Sequence, residues 1–185
     1  MKPVFAALAA AVIALPAHAA DSDAMAKAAA GFYAVYATFH PSDGIPDAQG
    51  RARYAPHMSD RLNDLLARAS AAEEKFAQAN KDTPPLVEGD MFTTNFEGAT
   101  SYKVGNCAGD GKTGHCAIAL TYDPRVQGDT QNKPVHWTDT AYLMNTPSGW
   151  KLDDIGFGGN WDFGNKGHMS DALKMVIATA GGGSN

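Results

Sequence analysis

The chain has 185 residues, a net charge of −5 from 15 basic against 20 acidic side chains, and a hydrophobic fraction of 44%. An acidic balance with no basic stripe excludes a nucleic-acid footprint and makes an anionic membrane a poor partner. The length suits one domain able to bury a full core.

In chain order, Lys2 precedes an apolar run from Val4 to Leu15, Pro16 breaks it, and Ala17-His18-Ala19 has the small-x-small pattern of a cleavage site. The run is shorter than the roughly 20 apolar residues of a spanning helix. Residues 1–19 are therefore expected to be a cleaved secretory signal. Residues 20–180 should form a single periplasmic domain with no membrane anchor, and residues 181–185 a tail. Asp21-Ser22-Asp23 offers caps for a helix whose Ala28, Phe32, Val35, Tyr36 and Phe39 recur at helical spacing, ended by Pro41, Gly44 and Pro46. Residues 47–54 can form a helical turn. Ser59 caps a clearer helix, with Leu62, Leu65, Leu66, Ala69, Ala72 and Phe76 on one face and charged residues on the other.

After Thr83-Pro84-Pro85 the chain turns to glycines and β-formers. Strands are expected at 93–99, 101–106, 115–122, 136–144 and 150–157, a polar connection at 124–134, and a last helix at 170–180. Helices first and an antiparallel sheet second give an α+β domain in which N-terminal helices pack on a curved antiparallel sheet. Cys107 and Cys116 flank the turn signals Asp110-Gly111 and Thr113-Gly114, so in an oxidising compartment they should form a disulfide stapling a hairpin.

The segment 137–163 concentrates chemistry. It holds Trp137, Trp150 and Trp161 with Asp139, Asp153, Asp154 and Asp162. If Thr146-Pro147-Ser148-Gly149 is the hairpin turn, Asn145 pairs with Trp150, Leu143 with Leu152, Ala141 with Asp154 and Asp139 with Gly156. Asp139 and Asp154 would then share a face with Trp137 and Trp150 as diagonal neighbours ~7–8 Å apart. Two readings compete. The carboxylates line a pocket walled by indoles, with Tyr36 and Trp161 as further lining, and one is tuned as a general base. Alternatively each accepts backbone and indole N–H bonds and ties a loop, and this is the stronger reading. Glu88-Gly89-Asp90 reads as a turn glycine and a loop-tying aspartate. His136 and His168 flank the segment without metal-ligand spacing, so neither metal nor cofactor is expected. No nucleophile motif or phosphate loop is present.

The stretches P-P-L-V-E-G-D-M-F-T-T-N-F-E-G-A-T (84–100), W-T-D-T (137–140), G-W-K-L-D-D-I (149–155) and G-G-N-W-D-F-G-N-K-G (158–167) resemble a bacterial exported family known as domain of unknown function 3828. The resemblance spans about residues 32–173 and implies a fold similar to the nuclear-transport-factor-2-like, or cystatin-like, cone. Such cones serve isomerases, dehydratases, toxin-immunity proteins and plain binding domains, and they often dimerise through the outer sheet face, so fold alone does not choose among them. No isomerase motif matches residue by residue. The expected function is a non-catalytic domain that binds a small molecule or a periplasmic protein. The rivals are a cone-pocket enzyme with an aspartate base and a toxin-immunity protein.

Overall fold

The computed structural model describes residues 17–39 and 44–182. Most of the expected signal segment, the helix breaker Pro41 and the last three residues of the expected tail lie outside them. Helix α1 (Ala17–Thr38) buries Met25, Ala29, Phe32, Tyr33 and Tyr36. It already includes Asp21-Ser22-Asp23, which therefore sit within the helix rather than capping it; Ser22 Oγ instead donates to the Cys107 carbonyl at 3.3 Å. Helix α2 (Ala48–Tyr54) starts at Asp47, whose side chain accepts from the Gly50 amide. Helix α3 (Asp60–Ala79) has Ser59 as its N-cap, accepting from the Leu62 amide at 3.1 Å, and buries Leu62, Leu65, Leu66 and Ala69. Both caps satisfy amides that a helix start leaves without a partner.

Strands β1 (Ser101–Gly109), β2 (Thr113–Tyr122), β3 (Val135–Thr146) and β4 (Gly149–Gly156) form one antiparallel sheet in the order β1-β2-β3-β4. Helix α4 (Met169–Gly182) follows, two residues longer at its C-terminus than the periodicity predicts. Helix α1 touches all four strands and makes most of its contacts with the outer two, β1 and β4, so the sheet curls around it. The core between them is aromatic: Phe32, Tyr33, Tyr36, Tyr54 and Phe92 are all fully buried. Phe92 meets Phe32 edge to face at 5.3 Å between ring centres and Tyr54 at 4.8 Å. The result is a single α+β domain with an open four-stranded sheet. Cys107 and Cys116 face each other across β1 and β2, with Cα atoms 4.1 Å apart, and are joined in a disulfide.

Two further expectations fail. Residues 93–99 are rich in β-formers but form no strand. Their backbone groups are taken up by side chains and by another loop. The Thr94 amide donates to Asp139, the Thr94 carbonyl accepts from the Asn165 amide, and the Thr93 carbonyl accepts from the Asn165 side chain. A segment whose donors and acceptors are satisfied in this way has no ladder left to join.

The second failure is register. The hairpin turn is where the sequence places it, with Asn145 opposite Trp150 and Leu143 opposite Leu152. Beyond that point an extra residue, Asp153, enters β4, and the ladder resumes with Tyr142 opposite Asp154 and Ala141 opposite Ile155. One bulged residue turns every later side chain to the other face. Ile155 is therefore fully buried beside Ala141, and Asp154 lies on the outer face with Tyr142. The expected pairing of Ala141 with Asp154 does not form, and Asp139 and Asp154 do not share a face.

Candidate functional site

Asp139 is fully buried on the inner face of β3. One of its oxygens accepts from the Thr94 amide at 2.8 Å and the Trp137 indole N–H at 3.0 Å. The other accepts from the Thr94 hydroxyl and from the Gly158 amide at 2.9 Å. Four donors saturate a carboxylate. Trp137 is held as well, its ring meeting Trp161 edge to face at 5.6 Å.

Asp139 thereby ties together the two irregular segments that close this end of the sheet, 90–98 and 157–167. Asn165 reinforces the joint, its side-chain amide donating to the carbonyls of Asp90 and Thr93. Gly159 packs where a side chain would strike Thr94 and the Trp161 ring. The glycine-rich motif at 158–167 thus serves close packing of one loop on the other.

Asp154 has a different task. Its oxygens accept from the Ser170 amide at 3.0 Å and the Ser170 hydroxyl at 2.6 Å, and His168 Nδ1 lies 3.5 Å away. It secures the first turn of α4 to the back of β4, a favourable place for a negative charge. Asp153, the bulged residue, turns to α3. It accepts the Ser59 hydroxyl at 2.5 Å and pairs with Arg61 at 2.7 Å.

Asp90, read from sequence as a loop tie, is more than that. It is fully buried, accepts from the Phe92 amide at 2.7 Å, and takes the Tyr36 hydroxyl at 2.7 Å while Tyr36 itself accepts from the Ala99 amide. Burial pushes the Asp90 pKa up to about 7, against the pull of the Tyr36 and Phe92 hydrogen bonds. Burial likewise raises Tyr36, with Asp90 adding to the effect. Neighbouring Tyr33 is raised by burial and by the charges of Asp139 and Asp90, and its hydroxyl has no hydrogen-bond partner among the described residues. A Gly-Asp pair before a loop carries no signal of such burial; only the Tyr36 face of α1 hinted that something polar would have to meet it.

Two surface recesses stand out. A groove of ≈ 660 Å³ runs between the 85–89 loop and α4, with Leu86, Val87, Phe96, Met175 and Val176 as its apolar lining. A cleft of ≈ 470 Å³ opens at the closed end of the sheet between Tyr122 on β2, the 124–135 connection and Trp161. Of the six residues singled out from sequence, Trp161 lines this cleft, while Asp139, Asp154, Trp137, Trp150 and Tyr36 line neither recess. Trp137 and Trp150 are core residues, 7% and 8% exposed. The cleft's other members, among them Glu97, Tyr122 and Lys133, lie outside the tryptophan segment in sequence. The polar, aperiodic stretch 124–134 pointed to Lys133 alone; Glu97 and Tyr122 carried no advance signal.

Among the described residues, no three His, Cys, Asp or Glu side chains gather as a metal site would require, and no helix is long and apolar enough to cross a membrane. No family model matches the chain, and neither a curated protein nor a solved structure is found similar to it.

Proposed function

We propose that this protein is a non-catalytic small-molecule binding domain of the periplasm, released there from a cleaved signal, and that the cleft beside Trp161 is its binding site. The resemblance to exported domain-of-unknown-function family 3828 and to nuclear-transport-factor-2-like cones belongs to the same proposal. The observation that carries it is a division of labour among the polar groups. The aspartates expected to act as bases are occupied in holding loops and helices, with Asp139 receiving four hydrogen bonds. The cleft, in contrast, has aromatic walls, a polar rim and a volume within the range of small-molecule sites. The disulfide is compatible with an exported protein.

The buried Asp90–Tyr36 pair is the strongest argument for proton-transfer chemistry instead, but both side chains are fully buried and line neither recess. The test is a ligand screen of the isotope-labelled chain against metabolite mixtures, read by amide chemical shifts together with the fate of the added compounds. Saturable shifts around Trp161 with every compound recovered intact are expected. Conversion of a bound compound would overturn the non-catalytic reading, and shifts confined to other surfaces would overturn the site.

A further inference from the structure

The rim of the Trp161 cleft narrows the chemistry of its ligand, on the reading that this cleft is the binding site. It carries charges of both signs, Glu97 and Asp129 with Lys133. Asp129 is taken up by its own turn, accepting from the amides of Gln131 at 2.9 Å and Asn132 at 3.2 Å and from the Asn132 side chain at 2.7 Å. The Tyr122 hydroxyl donates to Gln127 Oε1 at 3.3 Å, and burial and the Glu97 carboxylate push it to a higher pKa. Lys133 has neither ion-pair nor hydrogen-bond partner among the described residues. A ligand carrying a single charge of either sign therefore meets both an opposite and a like charge on the same rim.

Hydrogen-bonding capacity remains, and it is mixed. Lys133 offers three donors. Asn95 spends one side-chain N–H on the Gly98 carbonyl, which leaves the other, and Asn132 spends its side-chain N–H on Asp129, which leaves its carbonyl oxygen as an acceptor. Glu97 adds further acceptor capacity. Donors and acceptors interleaved on one rim suit groups that do both, which is the property of a hydroxyl. The walls are apolar and aromatic: Trp161, Tyr122, Pro124 and Val135. Trp161 is fixed from behind by Trp137, and its carbonyl is held by Lys166 Nζ at 2.5 Å, so the wall is in place before any ligand arrives.

We infer that the cleft binds a neutral, polyhydroxylated ring of mono- or disaccharide size, its C–H face against Trp161 and Tyr122 and its hydroxyls on Lys133, Glu97, Asn95 and Asn132. A ring with one apolar face and a hydroxylated edge uses both the aromatic wall and the mixed rim. An aromatic acid pairs with Lys133 but sets its carboxylate against Glu97 and Asp129, a quaternary amine does the reverse, and neither uses the interleaved donors and acceptors of the rim.

The experiment titrates the labelled chain with glucose, N-acetylglucosamine and maltose, and in parallel with choline and benzoate. Saturable shifts of the amides of Asn95 and Lys133 and of the Trp161 indole N–H are expected for at least one sugar, with affinity roughly tenfold above that for choline or benzoate. Lys133→Ala should weaken that sugar severalfold with the thermal midpoint unchanged. Trp161→Phe, which keeps an aromatic plane, should bind more tightly than Trp161→Ala; the Lys133 variant remains decisive if Trp161→Ala fails to fold. Choline or benzoate outcompeting every sugar at these residues would overturn the ligand class and leave the binding site standing. Silence of these residues to all five probes while a metabolite mixture shifts them would do the same, and silence to the mixture as well would overturn both.

Discussion

Trp137 donates its indole N–H to the carboxylate of Asp139 at 3.0 Å, two residues further along the same inner face of β3. The same oxygen receives the Thr94 amide, and the other receives Thr94 Oγ1 and the Gly158 amide, so one buried side chain joins the sheet to both closing loops. Asp139→Asn keeps the shape but turns an amino group toward two of those donors. Stability should fall by about 2–4 kcal/mol, the range for leaving buried polar groups unpaired. A shift of the urea midpoint, with a redder tryptophan emission as water reaches Trp137, is the measurement. A midpoint within the error of wild type would show that these bonds do not hold the loops.

Asp90 predicts a pH dependence whose sign runs against most carboxylates. Its folded pKa, raised to about 7, lies above the ordinary aspartate value of 3.8. The folded state therefore holds a proton that the unfolded state has released, and the stability associated with that proton is fully present below about pH 4. It is lost as pH rises toward 7 and gone above it. Tyr36 stays protonated throughout and continues to donate. Asp90→Asn cannot ionise, so its stability relative to wild type should improve from pH 5 to pH 8, by an amount of the order of a few kcal/mol. Urea unfolding of both proteins at the two pH values cancels every other titrating group. A difference independent of pH would place the Asp90 pKa back in the ordinary range.

Ser170 and Asp154 predict local rather than global loosening. Ser170→Ala removes one hydrogen bond from Asp154 and leaves the backbone one in place. It should cost about 1 kcal/mol, in the range for losing a helix-end partner. Amide exchange in the first turn of α4 should quicken while the β2–β3 ladder remains protected. Equal acceleration in both would mean that α4 and the sheet open only together.

The parts legible in the sequence are those set by local pattern. Ser59 before a leucine-faced helix, the turn at 146–149 and the cysteines across a glycine hairpin all stand where periodicity and turn chemistry put them. The closing loops were not legible because their backbone partners are single side chains distant in sequence, Asp139 and Asn165, and β-propensity carries no information about such partners. The pairing of Asp139 with Asp154 failed on one inserted residue. A bulge has no compositional mark here, since Asp153 and Asp154 are chemically identical neighbours and either could occupy the outward position.

That bulge makes the last prediction. Removing Asp153 altogether would leave Leu152 opposite Leu143 and Asp154 opposite Tyr142 in an unbroken ladder, with Ile155 still facing the core. The deletion therefore preserves the inward and outward order of β4. What it removes is a carboxylate held at the start of α3 by the Ser59 hydroxyl and by Arg61, whose side chain is 46% exposed, together with the Asp153 carbonyl that accepts from Arg61 at 2.6 Å. The half-exposed ion pair contributes little after screening, and the bond to the capping serine more, so deletion and Asp153→Ala should each cost about 1–2 kcal/mol. The two variants should match to within about 1 kcal/mol, the deletion losing in addition the exposed carbonyl bond to Arg61, and both should keep the wild-type near-ultraviolet circular dichroism. If the deletion variant unfolds while Asp153→Ala folds, the bulge is needed for the path of β4 itself, through the twist it adds to the strand, and not for delivering one carboxylate to α3.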